Sequence, residues 1–137
     1  MVAEKLNGSC LCGSVKYFIN GGVKAVANCH CKTCKKMTGS VFATIAVTAE
    51  ENFHFIQGEK NLESHQVSEK GKKYYCRDCG TPIFNVVKKY PGNYMVLVGS
   101  LDEPSLVEPV INIFCESMLP WLKKMEAMKD FETEPNR

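Results

Sequence analysis

Apolar and polar residues alternate over several short stretches of this 137-residue chain, and that alternation predicts strands. Val15, Tyr17 and Ile19 interleave with Lys16, Phe18 and Asn20 before Gly21-Gly22 ends the run. Val41 to Thr48 is β-branched and apolar, as a buried strand would be. Phe53 to Ile56 and His65 to Ser68 are shorter strand segments. Lys70-Gly71-Lys72 predicts a hairpin turn into Lys73-Tyr74-Tyr75. Ile83 to Val87 follows, and Pro91-Gly92-Asn93 turns the chain into Tyr94 to Val98. Val107 to Phe114 closes the series, with Pro109 favouring an edge position or a bulge. After that the period changes. Met118, Trp121, Leu122, Met125 and Met128 recur at three- and four-residue spacing, with Pro120 suited to a first turn. This predicts a C-terminal amphipathic helix with Trp121 and the methionines packed inward, then a polar tail from Glu132 to Arg137. The expectation is one mainly β domain over 1–137 with a terminal helix.

Composition narrows the function classes. Apolar residues make up 45% of the chain, enough for a real core. A net charge of +2 is only mildly basic, so no nucleic-acid or membrane partner is expected. Met1 to Gly8 holds no signal-like apolar run, and no stretch approaches the roughly 20 apolar residues of a membrane span. The expected compartment is the cytoplasm. In a reducing compartment eight cysteines point to metal or catalysis before disulfides.

Seven of the cysteines are clustered: Cys10/Cys12, Cys29/Cys31/Cys34 and Cys76/Cys79, with Cys115 alone. Neighbours one or two residues apart make poor disulfides but good chelates. Structural zinc takes four protein ligands, and catalytic zinc keeps three with a position left for water or substrate. Seven divides naturally into four plus three. The middle cluster can cap one face of a metal by itself. The outer pairs would clamp the start of the domain to its middle, each followed by a glycine, Gly13 and Gly80, that lets the backbone turn under the sulfurs. A second partition pairs Cys31/Cys34 with Cys76/Cys79 as a zinc ribbon and leaves three cysteines over. In a third, Cys115, His54 or His65 completes the tripod, and both sites are structural.

G-S-C-L-C-G-S-V-K-Y, N-C-H-C-K-T-C-K-K-M-T-G-S-V-F and Y-Y-C-R-D-C-G-T-P-I-F occur in that order, and I-N-I-F-C-E-S-M-L-P-W follows. The set resembles the glutathione-dependent formaldehyde-activating enzyme family, which also contains centromere protein V. The resemblance implies small coiled antiparallel sheets around zinc, a fold shared with the methionine sulfoxide reductase B group. It implies two zinc ions per chain: a structural one on Cys10, Cys12, Cys76 and Cys79, and a catalytic one on Cys29, Cys31 and Cys34. It implies addition of glutathione to formaldehyde, a carbon–sulfur lyase in reverse, with a small-molecule thiol and aldehyde as partners. The chain has Asn112 where many members have histidine, and Lys35 where many have arginine.

Three thiolates make zinc electron-rich, so its expected role is to hold a thiol as thiolate for attack on a small carbonyl. Lys32, Lys35 and Lys36 flank the tripod and are placed to attract carboxylates, Lys35 foremost. Gly39 and Ser40 are expected beside the substrate, with Phe42 packed behind. His30 is expected to point away from the metal as a surface or supporting residue. His54 and His65 are expected to be ordinary surface or half-buried histidines. Tyr74, Tyr75 and Tyr94 should pack the sheet, and Cys115 should be a small buried residue. Two other functions fit the same residues: a non-catalytic zinc module, and a thiol redox enzyme that uses Cys115.

Overall fold

Burial follows the predicted alternation closely: Val15, Tyr17 and Ile19 are fully buried, while Lys16 and Asn20 are exposed. The computed structural model describes residues 5–135; the first four residues and the last two of the polar tail lie outside them. In chain order the strands are β1 (Lys5–Ser9), β2 (Lys16–Asn20), β3 (Ala25–Cys29), β4 (Ala43–Ala49), β5 (Phe53–Gln57), β6 (Leu62–Ser68), β7 (Gly71–Cys76), β8 (Pro82–Val87), β9 (Asn93–Leu97) and β10 (Ile111–Ile113). One α-helix, α1 (Lys32–Thr38), follows β3.

The strands form two sheets. One has the order β1-β2-β5, the other β10-β3-β4-β9-β8-β7-β6. All pairings are antiparallel except β10 on β3, which is parallel. The antiparallel sheets expected from the sequence are present, with this one parallel pair added at an edge. After β9 the chain runs through irregular segments to the far edge and enters beside β3 in the same direction, a crossover that a tight hairpin cannot make.

The sheets share a core of Leu6, Tyr17 and Ile19 from one and Val26, Ala46, Phe84 and Val96 from the other. Phe53 of β5 is its hub, 4.6 Å from Tyr17, 5.2 Å from Phe84 and 5.3 Å from Tyr94 between ring centroids. The buried Tyr17 hydroxyl is satisfied by Ser100 Oγ at 2.6 Å. Gly8 lies across from Tyr17 in the β1–β2 register, and a Cβ there would lie 2.1 Å from the Tyr17 ring. Only glycine lets the tyrosine lie flat on the backbone.

A second cluster lies around α1. Cys29, Cys34, Ala43 and Leu97 are buried there, with Met37, Ile45 and Ile113 packed against them. This is the part of the fold that carries the middle cysteines.

Three elements went unpredicted. β1 and β3 are short with little alternation, and α1 (KTCKKMT) is mostly polar; tertiary contacts make all three. The C-terminal helix is corrected in type and packing. Pro120–Ala127 is a 3-10 helix with no buried residue, and Trp121, Met125 and Met128 are 42%, 51% and 46% exposed. At three residues per turn, three-and-four spacing no longer gathers onto one face. The last strand shrinks to Ile111–Ile113, at the sheet edge as Pro109 suggested.

Candidate metal centres

The two outer cysteine pairs occupy matching turns. Cys10 and Cys12 lie between β1 and β2, and Cys79 follows Cys76 at the end of β7. Gly13 N–H donates to the Cys10 carbonyl at 3.0 Å and Gly80 N–H to the Cys76 carbonyl at 2.8 Å. Both glycines are left-handed, with φ of 81° and 79°. The turns present four sulfurs within 4.8 Å of one another. Tetrahedral zinc with Zn–S near 2.3 Å sets sulfurs about 3.8 Å apart. Cys10–Cys12 is 3.6 Å and Cys12–Cys76 is 3.8 Å, so the donor set fits. One turn belongs to each sheet, so a metal here would staple the sheets together at one end.

Supporting groups complete this site. Val15 N–H donates to Cys10 Sγ at 3.2 Å. The Ser14 hydroxyl is 3.2 Å from Cys12 Sγ and 3.3 Å from Cys76 Sγ. The Thr81 hydroxyl is 3.2 Å from Cys79 Sγ, and this contact helps pull the Cys79 thiol down to about 5. Sequence reasoning missed Ser14 and Thr81. The signal was present: both pairs are followed by glycine and then a hydroxyl residue.

The middle cluster is built locally. Cys29 ends β3, Cys31 is the N-cap of α1, and Cys34 lies in the helix. Cys34 N–H donates to Cys31 Sγ at 3.2 Å, as backbone amides do around metal-bound sulfur. Cys29 Sγ is 3.5 Å from Cys31 Sγ and 3.2 Å from Cys34 Sγ. Cys29 and Cys34 are buried, and Cys31 is half-exposed. The Cys34 thiol donates to Cys29, which holds Cys29 down at about 6; the same bond and burial push Cys34 up. The two thiols thus share one proton unequally, and a divalent cation can take that proton's place.

Among the described residues the donor cluster is these three sulfurs. His54 stacks on Phe18 at 5.0 Å, and His65 pairs with Lys73 across β6 and β7. Cys115 is exposed, with Sγ donating to the Asn112 carbonyl at 3.5 Å. Its expected burial is corrected: Phe114, at φ 58°, turns the chain off the sheet edge just before it.

His30 is buried, at 2% exposure, and faces β10. Asn112 Oδ1 accepts from His30 Nε2 at 3.0 Å and from Asn28 Nδ2 at 3.3 Å, and Thr44 Oγ1 donates to Asn28 Oδ1 at 2.7 Å. This network fixes the residue between Cys29 and Cys31. Its Nδ1 has no partner among the described residues.

The other expected substrate residues separate. Lys35 Nζ donates to the Ser117 carbonyl at 2.6 Å and ties α1 to the C-terminal segment. Gly39 is the left-handed C-cap of α1, its N–H on the Lys35 carbonyl at 2.8 Å. Ser40 N–H donates to Thr38 Oγ1 at 3.1 Å on the exposed turn into β4. Lys32 and Lys36 instead line a groove of about 370 Å³ with Thr33, Met37, His65, Val67 and Lys73.

A family model described as glutathione-dependent formaldehyde-activating enzyme matches residues 5–117, a span that holds every strand, α1 and both clusters. The fold is also similar to a crystal structure of a Rhodobacter sphaeroides protein. That chain is 25% identical, with a TM-score of 0.60, and the match covers 77% of this chain and 98% of the other.

Proposed function

The chain belongs to the glutathione-dependent formaldehyde-activating enzyme family, and on that premise we propose that it is a zinc-dependent carbon–sulfur lyase-type enzyme that adds a glutathione-like thiol to formaldehyde. The observation that carries this is the incomplete donor set. Three sulfurs converge, and among the described residues no fourth side chain joins them.

Cys29, Cys31 and Cys34 would hold the catalytic zinc, and Cys10, Cys12, Cys76 and Cys79 the structural one, two ions per chain. A zinc ion held there would supply the positive charge that favours the thiolate form of an incoming thiol, whose pKa is about 8.5 when free. Cys29 and Cys34, buried against Ala43 and Leu97, close the back of the site to water. The half-exposed Cys31 leaves the approach on its own side. In the overall change a carbon–sulfur bond forms, the carbonyl π pair moves to oxygen, and the thiol proton ends on that oxygen; the reverse releases both partners. All eight cysteines are free in the structure, which suits the cytoplasmic location we assign. Among the described residues no helix is long and apolar enough to cross a membrane.

The test is formaldehyde consumption by zinc-loaded protein with and without glutathione. Thiol-dependent acceleration that Cys31→Ser abolishes is the expected result. Equal rates with and without thiol would retire the reaction.

A further inference from the structure

The two edges of the larger sheet differ in chemistry. At one edge β6 shows Ser64, His65 and Gln66 to solvent, polar residues that discourage another chain from docking. At the other edge Val110, 79% exposed, precedes β10, and Ile111 is exposed within it. Phe114, half-exposed, follows directly. The Ser117 and Met118 amides donate to the Phe114 and Cys115 carbonyls at 3.0 Å, and Lys35 Nζ holds the Ser117 carbonyl at 2.6 Å. The chain then winds through Pro120–Ala127, a 3-10 helix of eight residues with none buried. Runs of 3-10 helix beyond about four residues are uncommon, because their hydrogen bonds are poorly aligned. This stretch is held in shape while its apolar side chains face water.

The exposed apolar surface is concentrated there. Among the described residues eleven large apolar side chains are exposed, and eight of them fall between Leu106 and Phe131. At roughly 100 Å² for each half-exposed aromatic or long aliphatic side chain, these eight leave on the order of 800 Å² of apolar surface in water. That is more than the largest apolar patch of a typical monomer, about 300–600 Å², and close to the roughly 800 Å² each partner gives to a stable dimer. The charges on the same stretch are balanced: Glu108, Glu116, Glu126 and Asp130 against Lys123, Lys124 and Lys129. A helix that lies on an anionic bilayer carries a polar face rich in lysine and arginine, and a nucleic-acid surface is basic. A balanced surface instead suits its own image, which it meets without net repulsion.

We propose that a second copy of this chain covers the β10 edge and the segment that follows it, in a two-fold symmetric dimer. A two-fold contact uses the same patch on both copies, so the one apolar stretch supplies both sides. The dimer holds whether or not the thiol-addition reading does. It also borders on the tripod: Ile113 lies beside Cys29 in the β10–β3 register and packs against the tripod cluster, and Asn112 holds His30. Each copy therefore braces the strand that flanks the other's three-sulfur cluster.

Sedimentation equilibrium of the zinc-loaded, full-length protein tests this. Interfaces of this size hold at micromolar dissociation constants or tighter, so the unaltered protein should sediment as a dimer at about 50 μM. Val110→Glu/Phe114→Glu places two charges in the contact and should weaken association about a hundredfold or more, giving a monomer with a native circular dichroism spectrum. Trp121→Glu/Met125→Glu should act in the same direction, and it serves if the first variant misfolds. Ile56→Glu, at an exposed apolar position of the smaller sheet, should stay dimeric. A monomeric unaltered protein, a dimer that survives both double variants, or a dimer lost in Ile56→Glu would overturn the proposal. So would open-ended association in place of a dimer, or a monomer that cosediments with vesicles of phosphatidylcholine and phosphatidylserine.

Discussion

The two cysteine clusters use the same side chain to opposite ends. The four-sulfur cluster draws one turn from each sheet, and its pairs stand 64 residues apart in the chain at Cys12 and Cys76. Ser14 and Thr81 hydroxyls and the Val15 amide surround its sulfurs. The three-sulfur cluster comes from one continuous piece of chain, and its approach runs past the half-exposed Cys31. A site that closes a long loop carries the fold; a site that closes almost no loop can be left incomplete for chemistry. On the proposed reading, a folding site and a working site would be separated by which elements each one joins.

The comparison breaks most visibly at the closed site. Cys76→Ser should cost on the order of 10 kcal/mol of metal-linked folding free energy and leave the protein unfolded. Far-UV circular dichroism reads this, and a native spectrum would contradict it. Cys31→Ser should lower thiol-dependent formaldehyde consumption by about a hundredfold or more while the protein stays folded. Thermal unfolding checks the second half of that statement.

Gly8→Ala probes the sheet that carries Cys10 and Cys12 without touching a ligand. Its Cβ would lie 2.1 Å from the Tyr17 ring, so an overpacking loss of about 1–3 kcal/mol is expected in urea unfolding, with the tripod intact. The core shared by the two sheets should also respond to alkali. Burial pushes the Tyr94 hydroxyl up to about 12, and burial raises Tyr17 as well. A phenol whose pKa is raised on folding contributes stability that is present below its unfolded value near 10 and is lost as pH rises through the folded value. Stability of the zinc-loaded protein should therefore decline above about pH 10, and less steeply in Tyr94→Phe. Cys115→Ser should change nothing in the formaldehyde assay, because Cys115 lies exposed and outside the tripod.

The division of the cysteines was legible in the sequence because chelate spacing is a local property. Strands such as Val15 to Ile19 were legible because one face is buried and the other wet. What the sequence hid depends on contacts between distant residues. β1 and β3 become strands only by pairing with β2 and β4. The partner of Lys35 is a carbonyl 82 residues away. His65 and Lys73 reach α1 only through the sheet. The terminal segment misled because its spacing suits an α-helix, while its apolar side chains find no core in the fold and it winds as a 3-10 helix.

Zinc counted on purified Cys31→Ser, against the unaltered protein, tests the division of roles most directly. The account predicts two ions per chain falling to one, with the circular dichroism spectrum of the folded protein retained. Loss of both ions together with the fold, or retention of two, would contradict it.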